Sequence, residues 1–193
     1  MSGLHAMLGI DPGVSGAAVL LAPGGSLVSA WRMPDVREDD ELDALREMLH
    51  DAEIYANRWP GLEVCCEDPG IIRTGAQYQA AATRSLARNV GYVLGYFGAT
   101  NRAVRVVAPS TWQSAIGILR SSGGKTRDTK AQAAMLCGHF WPTFKVWLKA
   151  HKWNAAERAG AFDAALIARY GLDVQRIDVV SVKDGGVRSC SAV

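Results

Sequence analysis

The segment that most restricts the fold is Met7–Gly13, a short apolar run closing on Asp11-Pro12-Gly13. The run suits a buried strand, and proline followed by glycine turns the backbone at once. Two more such runs, Ala17 to Leu21 and Leu27 to Trp31, come after equally brief breaks, the second break being Pro23-Gly24-Gly25-Ser26. Parallel strands need a crossover of a dozen or more residues, so connections this short favour an antiparallel meander. The chain therefore opens as three strands, with the Asp11 carboxylate delivered to the end of the first.

Beyond the meander, helix and strand alternate. From Glu41 to Ala56, the residues Leu42, Leu45, Leu49, Ala52 and Ala56 fall on one helical face and acids cover the other. Trp59-Pro60-Gly61 ends that helix, and Leu62–Glu67 reads as a nearly continuous strand buried inside a sheet. Gly75 to Gly98 predicts the longest helix, with a core stripe of Leu86, Val90, Val93, Leu94 and Phe97. Its Gly91 and Gly95 would let a neighbour approach closely, within the chain or from a second subunit. Arg105 to Val107 is a further strand stopped by Pro109, and Ser110-Thr111-Trp112 caps a short helix to about Gly117. After a polar loop, Asp128 suits the N-cap of a helix that carries Lys130 in its first turn. Trp141-Pro142 stops it. A last helix is expected from Ala155 to Tyr170, ending at Gly171. The sum is an α/β protein with a mixed five-stranded sheet flanked by helices. One domain is expected over residues 1–182, with a mobile tail over 183–193.

Composition narrows the function. With 193 residues, 49% hydrophobic and 21% charged, the chain can bury a core and is not disordered. No apolar run approaches the roughly 20 residues of a membrane span. No basic, apolar leader precedes the first strand, so no secretion signal is expected. Cys65, Cys66, Cys137 and Cys190 lack C-x-x-C spacing, which points away from zinc or a disulfide framework and towards a reducing cytoplasm. The net charge of +2 hides a segregation. Between Met33 and Asp68 twelve acids face only Arg37, Arg46 and Arg58. From Pro69 to Ala156 the sole acid is Asp128, against twelve lysines and arginines. One basic face is the electrostatic footprint of a phosphate-backbone binder.

Three acids lie in apolar surroundings. If Leu62–Glu67 pairs beside Met7–Asp11, Asp11 and Glu67 both stand at strand ends, and Asp163 comes from a helix that can cross that sheet. Uncompensated burial of such acids is costly, so they find cations or take up protons. Magnesium suits them, since it takes hard oxygen ligands and keeps several waters. The plainer uses are an Asx-turn for Asp11 and a cap for Glu67 or Asp68. Asp163 is flanked by Ala161, Phe162, Ala164 and Ala165, which argues against a merely solvated role.

Ile10-Asp11-Pro12-Gly13, the strand ending at Glu67, and Phe162-Asp163-Ala164-Ala165-Leu166-Ile167-Ala168 resemble the signature segments of RuvC-type Holliday junction resolvases, the phage-encoded branch above all. Val107-Ala108-Pro109-Ser110-Thr111-Trp112-Gln113 is similar to another segment of that family, and the likeness runs from about Met7 to Gly171. The resemblance implies a ribonuclease H-like fold and a homodimer in the cytoplasm of a bacterial or phage-infected cell. It also implies paired nicking of four-way or other branched DNA, dependent on Mg²⁺ with Mn²⁺ as substitute. Asp11, Glu67 and Asp163 then map onto metal ligands, and Lys130 onto a lysine near the scissile phosphate. One position departs: the family carries a fourth acid or histidine three or four residues before the last Asp, where this chain has Gly160 and Ala159. Glu157 and, more distantly, His151 are the candidates to replace it.

Arg84, Arg88, Arg120, Lys125 and Arg127, with Lys130, are expected to grip backbone phosphates without reading sequence. Tyr78 suits stacking on an unpaired base, and Ile71 or Ile72 an apolar wedge, though ordinary packing is the simpler use of all three. Trp141 and Trp147 read as core or subunit contact. Two other functions fit parts of the pattern. A nuclease of the same fold would act on RNA–DNA hybrids or ribosomal precursors. The Gly9–Gly16 hairpin also resembles the phosphate-binding hairpin of actin-like ATPases and sugar kinases, which need two such domains. A catalytically idle DNA-binding protein is the third alternative.

Overall fold

The computed structural model describes residues 5–34, 40–68, 77–118 and 128–183, with side chains to Val174 in the last span. The meander forms as the turns dictate: β1 (Ala6–Asp11), β2 (Ala17–Leu21) and β3 (Leu27–Arg32) pair antiparallel. Gly16 N–H donates to Gly13 O at 2.7 Å to close the first turn, and Gly25 N–H to Ala22 O at 2.8 Å to close the second. After α1 (Asp40–Ala56), β4 (Leu62–Glu67) lies parallel to β1 with Ile10 opposite Cys66. Then α2 (Gln77–Ala99) leads to β5 (Val104–Val107), parallel to β4. The sheet order is β3-β2-β1-β4-β5, so β1 is central. Beyond β5 come α3 (Pro109–Ala115), α4 (Thr129–Phe140), α5 (Phe144–Ala150) and α6 (Ala155–Lys183).

Alternation along the strands divides the core in two. Ala6, Leu8, Ile10, Val64 and Cys66 face one side, under Leu45, Leu49 and Ala52 of α1 and Val93 and Phe97 of α2. Met7, Val19, Leu21 and Cys65 face the other, under Trp112 of α3, Cys137 of α4, Leu148 of α5 and Ala164 to Ala168 of α6. Each large aliphatic or aromatic side chain so buried contributes about 1.5–3 kcal/mol of burial free energy. The α6 contact is the tightest. A Cβ on Gly9 would sit 2.1 Å from Ala164 O and 2.4 Å from Ala168 N, so β1 meets the helix backbone to backbone and only glycine fits there.

Three expectations are revised. Pro109 sits inside the first turn of α3, where its missing N–H costs nothing, and the N-cap Ala108 makes no side-chain cap bond, so Ser110 and Thr111 are not the cap. A helix, α5, occupies 144–150, where the sequence pattern predicts no element. Its Phe144 and Leu148, four apart, are both buried. And α6 continues past Gly171 to Lys183, because Gly171 is a packing residue within the helix: its Cβ would meet Met7 Sδ at 2.7 Å. Beyond Lys183, the expected tail lies outside the described residues. Gly91 and Gly95 make no close intrachain contact among the described residues; a Cβ at either meets nothing within 4 Å. No helix of the described residues is long and apolar enough to cross a membrane.

Candidate active site

Strand parity places the acids. Leu8 and Ile10 point towards α1 and α2, so Asp11, the next residue on β1, points towards α6. Val64 and Cys66 do the same on β4, so Glu67 also points to the α6 side, where it meets Trp112. Asp163 arrives on α6 from above, one residue before the Ala164 that touches Gly9.

Asp11 has two roles at once. Its Oδ1 accepts from Gly13 N–H at 3.0 Å, the Asx-turn that shapes the end of β1. Its carboxyl is nonetheless pushed above the usual range by burial, against the pull of that bond and of the Lys130 charge. Asp163 is pushed up to about 7, by burial first and then by the Asp11 charge, with Lys130 again opposing. Neither acid has an ion pair among the described residues. The Cys66 thiol reports the same crowding: burial raises it first, followed by the charges of Cys65, Asp11, Glu67 and Asp68. Asp128 caps α4 as expected, accepting from Lys130 N–H at 3.0 Å and Ala131 N–H at 3.1 Å, and this holds Lys130 at the helix start beside the two acids.

Glu67 is set by a different contact. The indole N–H of Trp112 donates to Glu67 Oε2 at 2.7 Å. Asn89, wholly buried on α2, donates Nδ2 to Pro12 O at 2.8 Å and so ties that helix to the turn after Asp11; its Oδ1 has no partner among the described residues. Neither Trp112 nor Asn89 is marked as a site residue by local sequence pattern. The one usable signal is a donor-only aromatic shortly after the strand that pairs with Glu67.

The other expected site residues divide. Glu157 is engaged elsewhere: its Oε2 accepts from Asn154 N–H at 2.7 Å, its own N–H donates to Asn154 Oδ1 at 3.0 Å, and Arg32 Nε lies 3.2 Å from Oε2. Burial works against this carboxylate, yet Asn154 and Arg32 hold it below its usual range. His151 stacks on Trp147, with Nδ1 2.8 Å from the Trp147 carbonyl oxygen. Gly160 is closed to any side chain, because a Cβ there would lie 2.1 Å from Ser15 O. Arg88 is half-buried, its Nε 3.2 Å from Tyr92 OH and its guanidinium over that ring. Arg84 lies on α2, but its side chain, with that of Tyr78, falls outside the described residues, as do Ile71, Ile72, Arg120, Lys125 and Arg127.

In donor chemistry the acids fit a divalent cation: hard oxygens, partly desolvated, with two of them lacking a cationic side chain in contact among the described residues. As the side chains stand, no three acids, histidines or cysteines among the described residues close around one point.

A mixed five-stranded sheet flanked by helices, with acids at the ends of its two central strands and on the helix crossing them, defines an α/β protein of ribonuclease H-like architecture. Neither a family model nor a curated relative matches the chain. Among solved structures it is similar to T. thermophilus RuvC in complex with a Holliday junction substrate. The TM-score is 0.56 at 16% identity, covering 88% of this chain and 96% of that one. A second Thermus thermophilus RuvC structure gives 0.55 at 14% identity with the same coverage. At such identities the likeness is one of fold.

Proposed function

We propose that this chain is a divalent-metal-dependent endonuclease that cuts branched DNA, four-way junctions above all. The observation that carries the reading is the pair Asp11 and Asp163, two half-buried acids, the second raised by the charge of the first, with no ion-pair partner among the described residues, on a fold similar to that of a protein solved with a Holliday junction. Asp11, Glu67 and Asp163 are the proposed ligands of Mg²⁺, with Mn²⁺ as substitute. When bound, the ion supplies an activated water and offsets charge on the scissile phosphodiester.

The chain's own residues do the rest. Asp163, pushed up to about 7, is half-ionised near neutral pH in the metal-free chain and carries its full charge only above it. Lys130 adds a fixed positive charge beside both acids, suited to the extra negative charge of a phosphate under attack. Arg88, with Arg84, Arg120, Lys125 and Arg127, is proposed to hold backbone phosphates, giving tight but salt-sensitive binding. Glu157 is left out of the ligand set because its carboxylate is taken by Asn154 and Arg32. Paired nicks need two sites, and the open face of α2 at Gly91, Leu94 and Gly95 is the proposed seat of a second copy. Leu94 there is 39% exposed.

A substrate panel tests the assignment: a synthetic four-way junction, the matched linear duplex and an RNA–DNA hybrid, each with Mg²⁺. The junction is expected to be cut at least tenfold faster than either. Equal cutting of all three would replace the junction reading with a general nuclease of this fold.

A further inference from the structure

We propose that Trp112 is a positioning residue for Glu67: it restricts this carboxylate at the end of β4, next to the end of β1 that carries Asp11. This rests on the metal-site reading above and adds the group that sets its third ligand.

The geometry comes from register. Glu67, the last residue of β4, pairs with Val107, the last residue of β5. The chain leaves β5 through Ala108 and enters α3 at Pro109, and Thr111 N–H and Trp112 N–H both donate back to Ala108 O, at 2.9 and 3.3 Å. One turn of helix therefore starts beside the end of β4, and its Trp112 side chain drops into the core with 0% exposure. A buried indole N–H must find an acceptor, and the one it has is Glu67 Oε2, at 2.7 Å. The contact is fixed from both sides: the ring by packing, the carboxylate by the strand end.

The donor is also the right kind. An arginine or lysine in that place would cancel the charge of Glu67 and compete with a cation. The indole is neutral, stabilises the ionised carboxylate, and leaves its charge intact. A glutamate has three rotatable bonds, and the bond to Trp112 removes most of that freedom before any ion arrives. Partners that orient a ligand in this way typically change metal affinity 10–100-fold when removed.

The test is calorimetric titration of the full chain with MnCl₂, alongside Trp112→Phe, Glu67→Gln, the double variant, Asp11→Asn and Leu148→Ala. Trp112→Phe keeps an apolar ring and deletes the donor. It is expected to weaken Mn²⁺ binding roughly tenfold or more, and to have no further effect when Glu67 is already Gln. Leu148→Ala lowers core stability with the donor intact and should bind as wild type does. If Trp112→Phe binds like wild type, or weakens binding equally in the Glu67→Gln background, the positioning role is refuted. If wild type and Asp11→Asn both fail to bind, the metal-site reading itself falls.

Discussion

Asp163 carries a proton at a pH where an ordinary aspartate has lost it, and this has a thermodynamic consequence. Its carboxyl is raised from 3.8 to about 7 in the folded chain. Between those values the folded state binds a proton that the unfolded state does not. Stability therefore falls as pH rises through that window, and the loss is complete above about 7. Asp11, also raised, acts in the same direction. In metal-free buffer Asp163→Asn should raise Tm at pH 8 by at least about 2–4 °C and change it little at pH 4. The same substitution should abolish any Tm rise produced by Mg²⁺. A variant less stable than wild type at pH 8 would contradict this. Asp11 and Asp163 are legible from sequence because each is an acid where the surrounding pattern demands apolar residues. The role of Trp112 is not, since it depends on α3 starting beside the end of β4, a long-range register that no local pattern encodes.

At the scale of elements, α6 organises the site through close contacts along β1 and the turn after it. Gly160 packs on Ser15 and Gly16, Ala164 and Ala168 on Gly9, and Gly171 on Met7. This explains the departure at position 160: the backbone of the turn after β1 fills the space that a side chain would need. Gly160→Ala should therefore cost about 1–3 kcal/mol by urea denaturation, as overpacking does. Glu157→Gln should lose only part of a helix cap and an ion pair, about 1 kcal/mol, and leave divalent binding unchanged. A Gly160→Ala chain as stable as wild type would remove the steric explanation. The long helices and the meander are readable because their periodicity and turn residues act locally. The α5 helix is not, because two buried residues in a seven-residue stretch make a helix only once Phe144 and Leu148 find the core.

Across the whole molecule, the sheet order and the two-sided core bring to one face what the sequence scatters over about 150 residues. Parallel pairing of β1 with β4 follows from two apolar runs that both need burial, and it sets Asp11 and Glu67 at neighbouring strand ends with the same parity. The helix from Ala155 then adds Asp163 on that side, and α4 adds Lys130. The charge segregation is matched only in part by the layers: acidic α1 shares one side of the sheet with α2, which carries Arg84 and Arg88, while α4, whose only lysine is Lys130, and α5, with Lys145 and Lys149, lie on the side of the proposed site. Such an arrangement suits a polyanion approaching Asp11 from the α6 side.

Single-turnover nicking of a labelled four-way junction, with Mg²⁺ and with EDTA, by wild type and Asp11→Asn, decides whether these acids and a divalent cation cut DNA. Wild type with Mg²⁺ should cut, while both EDTA and the substitution should lower the rate at least a hundredfold with junction binding retained. Nicking by Asp11→Asn at the wild-type rate, or wild-type cutting undiminished in EDTA, would overturn the metal-dependent reading.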